Sequence, residues 1–186
     1  MARIELWNGD ICDLEVDAIV NPANLSPWMA TGVGGAIKRA GGDAIEFAAV
    51  RQAPVRLGEA IVTTGGTLAA RSVIHAVSLD RDRRTSAEVI DKAARSAMAR
   101  AREIGAQSIA FPALGTGVGG FPLDEAARIT VEAVRDELTR SPSIEIVTFA
   151  LRGAAAYEAF GAALNAPTGT LAHPSAPSHG ATGGPA

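Results

Sequence analysis

The sequence predicts an α/β fold: a largely parallel or mixed sheet with helices on both faces. Two observations lead there. Short apolar or alternating runs recur along the chain, and stretches with helical periodicity fill the gaps between them. The composition is compatible. A chain of 186 residues with 47% hydrophobic content can bury a sizeable core, and 4% aromatic content makes that core mostly Ala, Val, Ile and Leu.

The elements follow in order. Arg3 to Trp7 alternates polar and apolar residues and reads as a first strand. Asp17 to Val20 is a short strand of the buried type. The stretch Gly35 to Val50 reads as helical, broken at Gly41-Gly42 and recapped by Asp43. Glu59 to Thr63 and Ser72 to Val77 are two further strands. From Ser86 to Ile104, apolar residues at Ile90, Ala93, Ala97, Ala101 and Ile104 mark one helical face. That helix opens on Thr85-Ser86-Ala87-Glu88, a capping-box pattern, and ends at Gly105. Ser108 to Phe111 is a fifth strand. A helix from Pro122 to Leu138 carries Pro in its first turn, with Asp124 and Glu125 at the positive end of its dipole. Ile144 to Leu151 and Ala154 to Leu164 supply a last strand and a last helix. One domain over residues 1–165 is followed at 166–186 by a tail of Pro, Gly, Ser, Thr, Ala and His, with no charge and one Leu, which reads as disordered.

Several function classes fall away. A formal net charge of -3 argues against non-specific nucleic-acid binding, which needs Lys and Arg to neutralise phosphates. The basic run Arg81-Asp82-Arg83-Arg84 contains an acid and reads as a solvated loop. Cys12 is the single cysteine, so neither an internal disulfide nor a cysteine metal cluster is available; it reads as a small buried hydrophobe. His173 and His179 sit in the tail, without a scaffold that would make them a metal site. With no signal-peptide pattern and no membrane-spanning apolar run, the expectation is a soluble cytoplasmic protein.

Five residues occur twice: Thr31-Gly32-Val33-Gly34-Gly35 and Thr116-Gly117-Val118-Gly119-Gly120. Each copy follows a strand and precedes a helix. Helix N-termini expose unpaired N–H groups, and glycine lets backbone approach a ligand closely, so each loop reads as an anion cradle that needs no Lys or Arg. Gly115 to Gly120 also satisfies G-x-G-x-x-G, but a dinucleotide-binding unit would place an acid at the end of the next strand, and Val147 to Leu151 has none. No Gly-Lys pair for a Walker loop and no G-x-S-x-G elbow occurs. Asp10, after the first strand, can accept from an exocyclic amine. Asn21 and Asn24, placed after the second strand, read as turn formers or as partners of sugar hydroxyls. Together the set reads as base, phosphates and sugar.

Five segments carry a resemblance: Gly9-Asp10-Ile11, Asp17 to Asn24, Gly32 to Ile37, Val73 to Val77, and Pro112 to Pro122 with its GTGVGG. In order and spacing, from about Arg3 to Leu164, the chain resembles the macrodomain family. The resemblance implies a three-layer α/β/α sandwich with a mixed six-stranded sheet, binding ADP-ribose at the strand ends. It implies that Asp10 contacts the adenine amine beside the Ile11 backbone, and that Asn24 binds the distal ribose. Gly32, Val33 and Gly34 would offer amides to one phosphate. Gly115, Thr116, Gly117, Val118 and Gly119 would wrap the diphosphate, and His75 would be structural.

Departures from the family pattern leave the activity open. Gly34 stands where the best-known hydrolytic members carry an Asp. Gly119 replaces an aromatic residue over the distal ribose, with Phe121 nearby as a substitute. Arg152 stands where an aromatic stacks on adenine, and Cys12 replaces a Thr. The expected partners are ADP-ribose or mono-ADP-ribosylated proteins, met by a monomer with no metal or other cofactor. Asn24 and the Gly34 backbone are the candidate catalytic positions. The favoured activity is removal of mono-ADP-ribose from acidic side chains. A non-catalytic reader and a hydrolase of O-acetyl-ADP-ribose are the alternatives.

Overall fold

The computed structural model describes residues 2–166. Its strands are β1 (Arg3–Asn8), β2 (Ala18–Asn24), β3 (Ala60–Thr64), β4 (Ser72–Leu79), β5 (Ser108–Phe111) and β6 (Ile146–Leu151). The helices are α1 (Gly32–Gly41), α2 (Asp43–Val50), α3 (Ala87–Glu103), α4 (Leu123–Leu138) and α5 (Ala154–Asn165), with a single 3-10 turn at Ile11–Asp13. The sheet order is β1-β6-β5-β2-β4-β3. Every pairing is parallel except that of the edge strand β3 with β4. Beyond Ala166, the expected tail with His173 and His179 lies outside the described residues. None of the described helices is long and apolar enough to cross a membrane.

Strand alternation sorts the core onto two faces. Ala18, Val20, Ile74, Ile109, Phe111, Val147 and Phe149 join α3, α4 and α5 in one apolar cluster. Ile19, Val73, Ala110 and Ala150 join Ile37 of α1 and Ile45 of α2 on the other. This makes three layers. The few aromatics are concentrated: the Phe149 ring lies 6.1 Å from that of Phe111 and 4.9 Å from that of Phe160.

Asp17 clasps the lower edge of the sheet. Its Oδ2 accepts from the amides of Gln107 (2.8 Å) and Ser108 (2.9 Å) and from Ser108 Oγ (3.1 Å), while Oδ1 faces Arg71 at 3.0 Å. Its own carbonyl accepts from Ser72 N–H at 3.1 Å. One residue thus ties the starts of β2, β4 and β5. Burial works against its charge, but these donors outweigh it and hold the carboxyl below its usual pKa.

Four boundaries differ from the sequence expectation. β2 continues through Asn21-Pro22-Ala23-Asn24, paired with β4, with a register shift between Ala23 and Asn24. β2 pairs with β5 only at Ala18 and Ile19, so Pro22 sits where one strand edge is already free, a position that tolerates proline. α1 starts at Gly32, three residues early; the poor helix propensity of glycine hid its first turn. Gly42, not Asp43, caps α2, and Ser86, not Thr85, caps α3, accepting from Val89 N–H at 3.3 Å.

A buried polar ladder crosses the α1-facing side of β2, β4 and β3. Asn21 Nδ2 lies 3.1 Å from His75 Nδ1, and His75 Nε2 lies 2.9 Å from Thr63 Oγ1. His75 is fully buried, and burial pushes its pKa down to about 4. The unfolded chain binds a proton near pH 6.5 that the fold refuses. Stability from this group is therefore complete above that pH and falls as the pH drops toward 4. Between about pH 6.5 and about pH 5, before most carboxylates titrate, unfolding free energy should fall by about 2 kcal/mol. Urea titrations across that window should show this slope in the wild type and lose it in His75→Gln. Phe149→Ala, which opens a cavity at the aromatic trio, should cost about 3–5 kcal/mol in the same assay at neutral pH.

Candidate functional site

Parallel strands deliver their C-terminal ends to one rim. There a cavity of about 600 Å³ opens, within the size range of ligand sites. Loops leaving β1, β6, β5, β2 and β4 line it. Crossing those five strands takes four spacings of about 4.8 Å, so the groove runs roughly 19 Å along the rim.

At the β1–β6 end stands Asp10. Its Oδ1 accepts from Cys12 N–H at 3.0 Å, capping the 3-10 turn that begins at Ile11. Its other oxygen is held by Arg152, which leaves β6. Burial opposes the charge, but the Cys12 amide and the Arg152 guanidinium prevail and lower its pKa. Arg152 therefore pairs with Asp10 in this structure. Burial and the neighbouring Asp10 carboxylate push the Cys12 thiol up to about 12, which leaves no thiolate for nucleophilic chemistry.

In the middle lie the two glycine segments, and they differ. Gly32, Val33 and Gly34 form the first turn of α1. Thr31 caps the helix with its carbonyl, which accepts from Gly35 N–H at 3.0 Å, and gives no side-chain cap bond. The amides of Gly32, Val33 and Gly34 thus point out of the helix end unpaired, as an anion site requires. The segment leading into this turn is anchored from below: Glu46 of α2, almost fully buried, accepts from Met29 N–H (2.6 Å) and from Lys38 Nζ of α1 (2.6 Å).

The second segment is a self-closed loop rather than a helix start, because α4 begins only at Leu123. Phe121 N–H donates to Gly115 O and Gly120 N–H to Gly117 O, both at 3.1 Å. A Cβ at Gly119 would stand 2.6 Å from Gly115 O, so this loop geometry admits no side chain there. Gly115, Thr116, Gly117, Val118 and Gly119 line the cavity. Phe121 does not; it packs half-buried against the core.

Toward β4 the lining includes Asn21, Asn24, Trp28, Leu79 and Arg83. Asn24 Oδ1 is buried with no hydrogen-bond partner, as is Asn21 Oδ1. A Cβ at Gly34 would lie 3.1 Å from Asn21 Oδ1, so the glycine lets the helix turn approach β2 closely. Ile11, Gly32, Val33 and Gly34 also line the cavity. Trp28 was not singled out from sequence, and Arg83 was read there only as part of a solvated loop, whereas it lines the cavity. Trp28 offered a signal, as a rare aromatic four residues past Asn24; Arg83 offered none, since its charge run reads as ordinary loop. Among the described residues, no group of three or more His, Cys, Asp or Glu is arranged to hold a metal ion.

Comparison with known proteins sets this geometry in a family. The sequence profile of the family described as Macro domain matches residues 20–130. An uncharacterized protein of Mycobacterium bovis is 46% identical over 166 residues, which are 89% of this chain but 46% of that protein. The chain thus spans about half the length of that mycobacterial relative. A macro domain-containing protein of Streptomyces coelicolor is 42% identical over 88% of this chain and 99% of its own. An O-acetyl-ADP-ribose deacetylase of Salmonella gallinarum is 40% identical over 80% of this chain and 86% of its own. The Trypanosoma brucei macrodomain, solved in complex with ADP-ribose, superposes with a TM-score of 0.81 at 31% identity, covering 87% of this chain and 69% of that one. The match in sequence and fold leaves one assignment: the chain belongs to the macrodomain family.

Proposed function

We propose that this macrodomain binds ADP-ribose and hydrolyses the ester that joins it to acidic side chains of modified proteins. The observation that carries the reading is the buried, unpartnered Asn24 Oδ1 beside the unpaired amides at the start of α1, in one groove with the Asp10 carboxylate. An acceptor buried without a donor is costly, and a ribose hydroxyl supplies the donor. Unpaired amides at a helix N-terminus suit a diphosphate. Asp10, ionised across the working pH range, suits an exocyclic amine.

In this reading the chemistry needs little from the protein beyond positioning. An acyl ester on the distal ribose presents an electrophilic carbonyl, and the ribose oxygen is the leaving group when it is cleaved. Asn24 orients the ribose, and the groove holds a water that adds to the ester carbonyl while the substrate's own phosphate accepts its proton. The acyl–oxygen bond then breaks, and that proton passes to the departing ribose oxygen, leaving a free carboxyl and a ribose hydroxyl. The missing acid at Gly34 lowers the rate by roughly 10²–10⁴ relative to a site that has one. An ester to acetate presents the same bond as an ester to glutamate, and the Salmonella gallinarum relative is named for the former. The same groove therefore supports deacetylation of O-acetyl-ADP-ribose as a second reading.

Calorimetry should give ADP-ribose a Kd near micromolar. Asp10→Ala should weaken it about tenfold or more, the value of a hydrogen bond to a charged group. Wild-type affinity should be nearly flat from about pH 5 to about pH 8, because Asp10 titrates below that window. Incubation with glutamate-linked mono-ADP-ribosylated protein should release free ADP-ribose, and Asn24→Ala should cut the release rate about a hundredfold. Tight binding with no release would make the domain a reader and overturn the hydrolase reading.

A further inference from the structure

Three charged side chains line the cavity: Asp10, Arg152 and Arg83. The first two satisfy each other. Among the described residues the Arg83 guanidinium has no ion-pair or hydrogen-bond partner, although its neighbour Arg84 faces Asp82 at 3.8 Å. Arg83 stands at the opposite end of the groove from Asp10, four residues beyond the end of β4.

The loop that carries it is built to hold it there. Asp80 Oδ1 accepts from the amides of Asp82 (2.9 Å) and Arg84 (2.8 Å), and Asp80 N–H donates to Arg84 O at 2.9 Å. The closed turn puts Arg83 at a φ of 60°; among the described residues it is the one non-glycine with positive φ. A bulky residue adopts that conformation only where its surroundings impose it.

The same cavity carries two exposed apolar side chains, Trp28, 58% exposed, and Val118, 56% exposed. Trp28 follows a tight turn in which its N–H donates to Ser26 O at 2.6 Å. An exposed indole and an unpaired guanidinium in one cavity are the residue types that recognise a polypeptide, and the charge selects acidic ones.

We infer that Arg83, with Trp28 and Val118, recognises an acidic peptide segment carrying the ADP-ribose, so that the substrate is a modified protein with carboxylates near the modified residue. This rests on the reading that the cavity holds ADP-ribose with its adenine at Asp10. In that orientation the distal ribose lies toward β2 and β4, and what it is attached to emerges toward Arg83. An acetyl group would give the guanidinium and the indole nothing to hold. A peptide with acidic side chains gives both a partner.

The test uses free ADP-ribose and two amide-linked ADP-ribosyl peptides, which resist ester hydrolysis, one with acidic and one with neutral flanks. The wild type should bind the acidic-flank peptide about fivefold tighter than the neutral one, a preference that shrinks with added salt. Arg83→Glu should abolish or invert the preference, Arg83→Lys should retain part of it, and both should leave the Kd of free ADP-ribose within about twofold of wild type. Equal loss for free ADP-ribose and for both peptides would place Arg83 on the diphosphate and overturn the inference. So would a wild type that does not distinguish the two peptides. Failure of the wild type to bind free ADP-ribose would overturn the ligand assignment itself.

Discussion

Parallel strand alignment is the constraint on which the rest of this structure depends. Because β1, β6, β5, β2 and β4 run the same way, the loops that line the groove depart from one rim. Asp17 helps to hold that alignment from the opposite edge, tying the starts of three strands with its carboxylate and its main-chain carbonyl. A one-residue slip of β2 against β4 would exchange the faces of the slipped strand and move Asn21 and His75 out of contact. The order of the strands then becomes the order of the site: carboxylate at one end, backbone amides in the middle, carboxamides and the Arg83 guanidinium at the other.

The groove is electrostatically unusual for an anion site. Among the described residues its middle offers no Lys or Arg, and the chain as a whole carries a net charge of -3. Attraction for phosphate has to come from the first turn of α1 and from the backbone of the Gly115–Gly119 loop. Such dipoles are fixed in place and pay little reorganisation when a ligand arrives. Glu46 and Lys38 matter here without touching the cavity, since they anchor the chain just before the helix turn.

Gly34 ties the buried ladder to the open site. Asn21 spends its amide on His75 and leaves its oxygen facing the place where a side chain at 34 would start, 3.1 Å away. An acid there would bring its own oxygens near an acceptor that already lacks a donor. The wall is thus shaped for backbone to approach closely, and the chemistry proposed for the groove relies on positioning more than on a protein acid.

Periodicity and composition in the sequence were sufficient to determine the six strands, the five helices and their alternation, because burial writes a period of two or 3.6 into a chain. Fixed spacing within short motifs made Asp10, Asn24 and both glycine segments legible as site residues. Other features arise only when distant segments meet. Pro22 and Asn24 extend β2 because they pair with β4, and Pro22 is tolerated there because β5 has already left the other edge. The two identical TGVGG stretches diverge, one winding into a helix and one closing on itself, because their neighbours differ. Arg83 and Trp28, separated by more than fifty positions, line one cavity because β2 and β4 are adjacent, and no local signal in the sequence encodes that adjacency.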